Sequence, residues 1–243
     1  RIYQINLAIA GIAIGTVALP ELSKRIKNKN FDSVMNIQNK SLELCLLLSL
    51  PACFGLIIAS EEIVNALFGY GSFSRENVMI TAKALKYFGF GVPAFALIKV
   101  LSNFLFARDN TKVPLYISTF IVFLNIGISL IYFQEIGFVI IPIATSISTW
   151  IGVLIYLTLL VKFKYFNFDL SFFTNLMKIV ISLAIMTLVL YFSIKFFEDK
   201  LIYSNYYKSF YLIMIVAAAA GVYLLLARLL GVFKIKNFVT NKK

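Results

Sequence analysis

Residues 113–161 read "VPLYISTFIVFLNIGISLIYFQEIGFVIIPIATSISTWIGVLIYLTLLV". A single charge, Glu135, divides this stretch into two charge-free runs, Val113–Gln134 and Ile136–Val161. A helix rises about 1.5 Å per residue, so either run can cross a hydrocarbon core of about 30 Å. Further charge-free windows cover Ile2–Pro20, Leu44–Ser60, Ile179–Ile194 and Ser209–Ala227, and Tyr87–Ala107 is interrupted only by Lys99. The shorter windows reach spanning length with their flanking residues. In a bilayer the backbone polar groups of such a segment must be satisfied within it, which means helix. The expectation is an all-α polytopic membrane protein with seven transmembrane helices. Composition agrees: 60% of residues are hydrophobic, only 14% are charged, and mean hydropathy is +0.89. Soluble domains carry roughly a quarter charged residues.

A formal charge of +12 would suggest nucleic acid in a soluble protein. Its distribution gives another reading. Assigning segment ends alternately to two sides puts fifteen Lys and Arg on one side, including Lys24, Arg25, Lys27, Arg108, Lys112 and Lys243. The other side holds six: Arg75, Lys83, Lys86, Lys195, Lys200 and Lys208. The positive-inside rule makes the richer side, and with it the C-terminus, cytoplasmic, so no nucleic-acid partner is expected. Cys45 and Cys53, eight apart on one helix, suit neither a disulfide nor a metal site and read as apolar packing residues. With no histidine present, zinc sites and His-based triads lose their commonest residue. No cofactor and no metal are expected. The first residue is not methionine and the first window is too long for a cleaved signal peptide, so the chain reads as one whose N-terminal part is missing.

Two connections are longer than the rest. "SEEIVNALFGYGSFSREN" (60–77) suggests an outer-surface amphipathic helix ending in a turn at Gly69 and Gly71. "KFKYFNFDLSFFTNLMK" (162–178) alternates aromatic and charged residues like an interfacial belt. The second divides the chain into residues 1–163, with five helices, and residues 164–243, with two more.

Ionisable groups inside a membrane usually face a cavity or a partner, which singles out Arg1 and Lys99. At helical spacing Arg1, Gln4, Ala8, Gly11 and Gly15 share one stripe, polar at one end and small toward the middle. The stripe fits a cavity-lining helix that packs closely through "GIAIG". Lys99 lies about 13 Å from the Arg108 end of its helix, and Ser102 and Asn103 extend its polar face. The competing readings are an interfacial charge for Arg1 and, for Lys99, a lysine bonded to backbone carbonyls inside the bundle.

The stretch "RIYQINLAIAGIAIGTVALPELSK" (1–24) resembles the "RLxxxPxGxxGxAxGTxxLPxLS" block of the lipid II flippases, the MurJ (formerly MviN) family. "LFGYGSF" (67–73), "KVLSNFLFARDNTKVP" (99–114) and "IATSISTW" (143–150) follow in the family's order. The resemblance implies the last seven helices of a fourteen-helix flippase in the bacterial inner membrane. It implies movement of lipid II, an undecaprenyl-pyrophosphate-linked precursor, to the outer leaflet by alternating access, in service of peptidoglycan and the cell wall. The protein would be no enzyme. Its partners would be lipid II, membrane lipids and the missing N-terminal half of the same protein. Arg1 falls on a cavity arginine of the family, which would hold the diphosphate through its planar fork of donors. Gln4, Lys99, Ser102 and Asn103 complete the candidate substrate site. A sodium site in some members uses an asparagine, an aspartate four residues on and a threonine on the next helix. Asn125 and Thr145 match, but Ser129 replaces the aspartate. That leaves a weak sodium candidate and makes an interhelical hydrogen bond the better reading of Asn125. The last two helices shape a groove for the polyprenyl tail in the family. Two alternatives stay open: another polysaccharide-lipid flippase or cation-coupled drug antiporter of the same superfamily, and a membrane polyprenyl-phosphate enzyme. The enzyme would need clustered acids, and none of the eleven acidic residues lies well inside an apolar window.

Overall fold

A computed structural model describes residues 11 and 13–232. Among them the secondary structure is helical throughout. In chain order the helices are α1 (Ala13–Lys27), α2 (Phe31–Ile58), α3 (Ser60–Phe68), α4 (Arg75–Phe106), α5 (Lys112–Ile136), α6 (Ile140–Lys162), α7 (Leu170–Phe196), α8 (Glu198–Leu201) and α9 (Lys208–Leu229). Five stretches are long and apolar enough to cross a membrane: α2, α4, Lys112–Lys162, α7 and α9. The third holds both α5 and α6, joined by a 3₁₀ turn at Gly137–Val139. Gly137 takes φ 70°, a left-handed value that glycine adopts without strain. The two helices run back along each other, with Asn125 bonded to Thr145 and Ile121 seated at Gly152. Six of the seven expected windows thus coincide with described helices, and most of Ile2–Pro20 lies outside the described residues.

The helices outrun the windows. α2 starts thirteen residues before Leu44, capped by the Asn30 side chain, which accepts from Ser33 N at 3.1 Å. α4 starts at Arg75, where Ser74 Oγ accepts from Asn77 N at 3.2 Å. A capped helix carries on through charged turns once it leaves hydrocarbon, whereas a hydropathy window stops at the first charge.

The main core joins α1, α2, α4 and α6 around Leu22, Leu101, Phe104 and Tyr156. Small residues bring the helices together. A Cβ on Gly91 of α4 would lie 2.7 Å from Ser146 Oγ of α6, and Ser146 donates to Tyr87 O at 2.7 Å. Trp150 Nε1 donates to Phe90 O on the same seam at 3.0 Å. Close backbone approach with hydroxyl bridges is how membrane helices associate where apolar burial offers little gain over lipid. A second core joins α7 and α9 to the C-terminal half of α2 through Ile179, Leu183, Leu212, Ile215 and Leu47, and Tyr223 donates to Leu47 O at 2.8 Å.

The 163–169 connection differs from the expected belt. Phe166 is 2% exposed and stacks on Phe104, and Arg108 donates to Phe104 O and Tyr165 O at 2.7 and 2.9 Å. Asn39 Nδ2 fixes the same segment through Asn167 O at 3.0 Å. Cys45 and Cys53 are free and buried, as packing residues should be.

Candidate functional site

Of the expected substrate residues, Arg1 and Gln4 lie outside the described residues. The other three stand on α4. Gly15 of α1 sits directly against Asn103, whose Nδ2 would overlap any Cβ placed there. Asn103 is accordingly half-buried beneath α1. Ser102 is buried, and its hydroxyl donates to the Lys99 carbonyl at 3.0 Å. The Lys99 side chain is exposed among the described residues, with no hydrogen bond or ion pair to any of them. At 3.6 residues per turn, Lys99 points to the opposite side of α4 from the exposed Phe90. The exposed face of this helix changes sides near Pro93.

The two sodium candidates meet as a hydrogen-bonded pair. Asn125 Nδ2 donates to Thr145 Oγ1 at 2.9 Å, and Thr145 Oγ1 donates to Ile141 O at 2.7 Å. Ser129 Oγ donates to Asn125 Oδ1 at 3.4 Å. As placed, these neutral groups satisfy one another, with an amide N–H rather than an oxygen turned to the threonine. The donor set does not fit a sodium ion. Among the described residues there is also no cluster of three His, Cys, Asp or Glu.

Two openings lie at the other end of the bundle. A cavity of about 690 Å³ sits where the C-terminal ends of α2 and α7 meet α3 and α8, and Glu61, Glu62, Arg75, Lys195 and Glu198 line it. Beside it a groove of about 250 Å³ runs between α2, α7 and α9, lined by apolar residues such as Pro51, Leu56, Met186, Leu190 and Ala219.

Sequence reading missed the best-held cation. Lys208 is only 1% exposed. Its Nζ donates to Gly69 O at 2.6 Å, Tyr203 O at 2.8 Å and Asn65 Oδ1 at 3.2 Å. The rings of Tyr70 and Tyr203 lie 4.1 and 4.7 Å away. Asn65 Nδ2 in turn donates to Leu201 O at 2.8 Å. Three acceptors match the three donors of an ammonium, and the two ring faces supply further attraction. The one available signal was the tyrosine-rich "IYSNYYK" (202–208) next to that lysine.

A family model described as "Lipid II flippase MurJ" matches residues 1–226. A "Probable lipid II flippase MurJ" of Rhizobium meliloti is 36% identical over 191 residues, covering 79% of this chain and 36% of that protein. The protein of the same description from Haemophilus influenzae is 26% identical over 242 residues, covering 96% of this chain and 47% of that protein. The chain thus spans less than half the length of these relatives. A solved structure titled "Lipid II flippase MurJ, inward closed conformation" superposes with a TM-score of 0.75 at 26% identity, over 93% of this chain and 44% of that one.

Proposed function

Because the chain belongs to the lipid II flippase MurJ family, we propose that it forms one lobe, with two added helices, of a transporter that moves lipid II across the cytoplasmic membrane. The observation that carries this reading is the α1–α4 contact. Gly15 admits Asn103, and Lys99 stands exposed one turn away on the side of α4 opposite Phe90. A helix whose two halves expose opposite sides suits a lobe that meets acyl chains on one side and a polar cavity on the other. By sequence spacing alone Arg1 and Gln4 belong to the same helical stripe as Gly15, which supports grouping them with Lys99 and Asn103 in one site. In this reading Arg1 grips the diphosphate, Lys99 adds charge, and Gln4, Ser102 and Asn103 give the cavity wall polar groups.

The excess of Lys and Arg at one set of helix ends supports a cytoplasmic C-terminus, with α3, α8 and the 690 Å³ cavity on the outer side. Residues 1–163 act as the moving lobe. Residues 164–243 carry α7 and α9, and the groove they form with α2 takes part of the polyprenyl tail. No covalent bond changes; the work is alternating access around a cationic site.

The test is Arg1→Ala in a full-length flippase containing this chain, in cells depleted of their own flippase. Lipid II reaching an outer-leaflet probe should fall roughly ten- to a hundredfold, the cost of one charge-assisted contact. Arg1→Lys should restore part of it, since the ammonium lacks the planar fork. Normal exposure in the alanine variant at matched protein levels refutes the assignment.

A further inference from the structure

Two segments at the α3–α8 end of the bundle carry no charge. Residues 63–74, "IVNALFGYGSFS", run from α3 into the turn before α4, and residues 201–207, "LIYSNYY", lead from α8 to α9. Charge resumes beside them, at Glu61, Glu62, Arg75 and Glu76 for the first and at Glu198, Asp199 and Lys200 for the second. The structure ties the two segments together. Ser209 Oγ donates to Ala66 O at 2.7 Å and lies 2.8 Å from the Tyr70 hydroxyl, and Tyr203 donates to Phe73 O at 2.7 Å. The charge at their junction, Lys208, is turned inward, with its three donors on Gly69 O, Tyr203 O and Asn65 Oδ1.

What the joined segments turn outward is apolar and aromatic. Leu67 and Tyr70 are exposed on the first, Tyr206 (81%) and Tyr207 on the second, and Phe210 on the opening turn of α9. An exposed apolar patch of this kind marks contact with a partner or a membrane.

We propose that this patch is an interfacial anchor, its side chains reaching about 5–10 Å into the boundary between lipid headgroups and acyl chains. Three features select lipid over a protein partner. Phe210, Ile213 and Met214 share one exposed stripe of α9, a helix long and apolar enough to cross a membrane, so the patch continues a face suited to acyl chains. Tyr70, Tyr206 and Tyr207 combine an apolar ring with a hydroxyl, which fits the depth where hydrocarbon gives way to water. A free ammonium at Lys208 would oppose entry into that layer, and the carbonyls and rings around it remove the opposition. The α9 residues that line the groove are others, Val216, Ala219 and Ala220, so the anchor does not compete with the polyprenyl tail. The inference uses only that α7 and α9 cross the membrane, and no step of transport.

The test places an environment-sensitive dye at Leu67→Cys, Tyr206→Cys or Phe210→Cys, each in a full-length flippase containing this chain and no other reactive thiol. Cys45 and Cys53 are buried, and their failure to label establishes that a variant is folded. Glu76→Cys and Asp199→Cys, both at exposed positions, serve as water-facing references. In phosphatidylcholine vesicles the patch positions should emit to the blue of the references. Phosphatidylcholine with a nitroxide near the headgroup end of its acyl chain should quench them at least about twofold more strongly. Emission and quenching like the references at two or more of the three positions would overturn the proposal and leave the patch to a soluble partner. Blue emission without quenching would overturn it as well, since another part of the protein would then cover the patch.

Discussion

Two fully buried polar side chains, one near each end of the bundle, are treated in opposite ways. Lys208 is 1% exposed and has three acceptors and two aromatic faces around its ammonium. Gln38 of α2 is 0% exposed, and neither its Nε2 nor its Oε1 has a hydrogen-bond partner. The charged group, costlier to bury, is the satisfied one, and the neutral amide is left without partners. The difference shows where the fold is tied down. Lys208 binds the turn after α3, the loop before α9 and α9 itself into one unit, and Ser209 Oγ adds a bond to Ala66 O at 2.7 Å. Around Gln38 no such network forms, so the amide loses its water without gaining bonds, and the helix contact there rests on packing.

The strongest way to break the contrast is Lys208→Met. The apolar stem is kept, but Gly69 O, Tyr203 O and Asn65 Oδ1 lose their donor. A loss of about 2–4 kcal/mol is expected, less than a sum of three bonds because the cost of burying a charge disappears with it. For a chain of this size that is a drop of roughly 5–10 °C in unfolding midpoint. The free, buried thiols of Cys45 and Cys53 allow the measurement, since a thiol-reactive dye labels them only on unfolding. An unchanged midpoint would mean that the ammonium merely fills space.

Gln38→Met should sharpen the contrast in the other direction. It removes two unsatisfied polar atoms at nearly constant volume, so the midpoint should rise by roughly 2–6 °C, corresponding to about 1–2 kcal/mol. Read by the same dye, a fall in midpoint would show that the amide is satisfied after all, through water.

The sequence conveyed these features unevenly. Apolar windows as in α5, α6, α7 and α9 were legible because a bilayer sets a minimum length that few other structures need. The partnership of Asn125 with Thr145 was also legible, since a polar side chain in an apolar run needs a partner and the next helix had one at matching depth. The polar turns that lengthen α2 and α4 were not, because hydropathy ends where charge begins. By sequence alone Lys208 reads as a surface charge marking topology. Two of its three acceptors are backbone carbonyls, at Gly69 and Tyr203, and every residue has a carbonyl, so nothing in the residue types announced them. The seating of Asn103 on Gly15 depended on which face of α4 meets α1, which spacing within either helix leaves open.

Glu62 lies between the two extremes and gives the smallest effect. It borders the same cavity as Asn65, which holds Lys208, yet its Oε2 is unpartnered like the Gln38 amide. Burial first, and then the charges of Glu61 and Glu198, push its carboxyl above the usual range, while a bond to its own backbone works against the shift. A carboxyl whose pKa is raised by folding contributes stability that is fully present below its unfolded value, about 4.3, and is lost as pH rises through the folded value. Glu62→Gln removes that dependence. The variant and the wild type should unfold together near pH 4, and by pH 7 the variant should be the more stable, by less than about 1 kcal/mol because the side chain is only partly buried. The comparison belongs in lipid-free detergent. A gap that stays constant from pH 4 to pH 7 would show that Glu62 is as well solvated as an ordinary surface glutamate, and would leave Gln38 the unsatisfied side of the comparison.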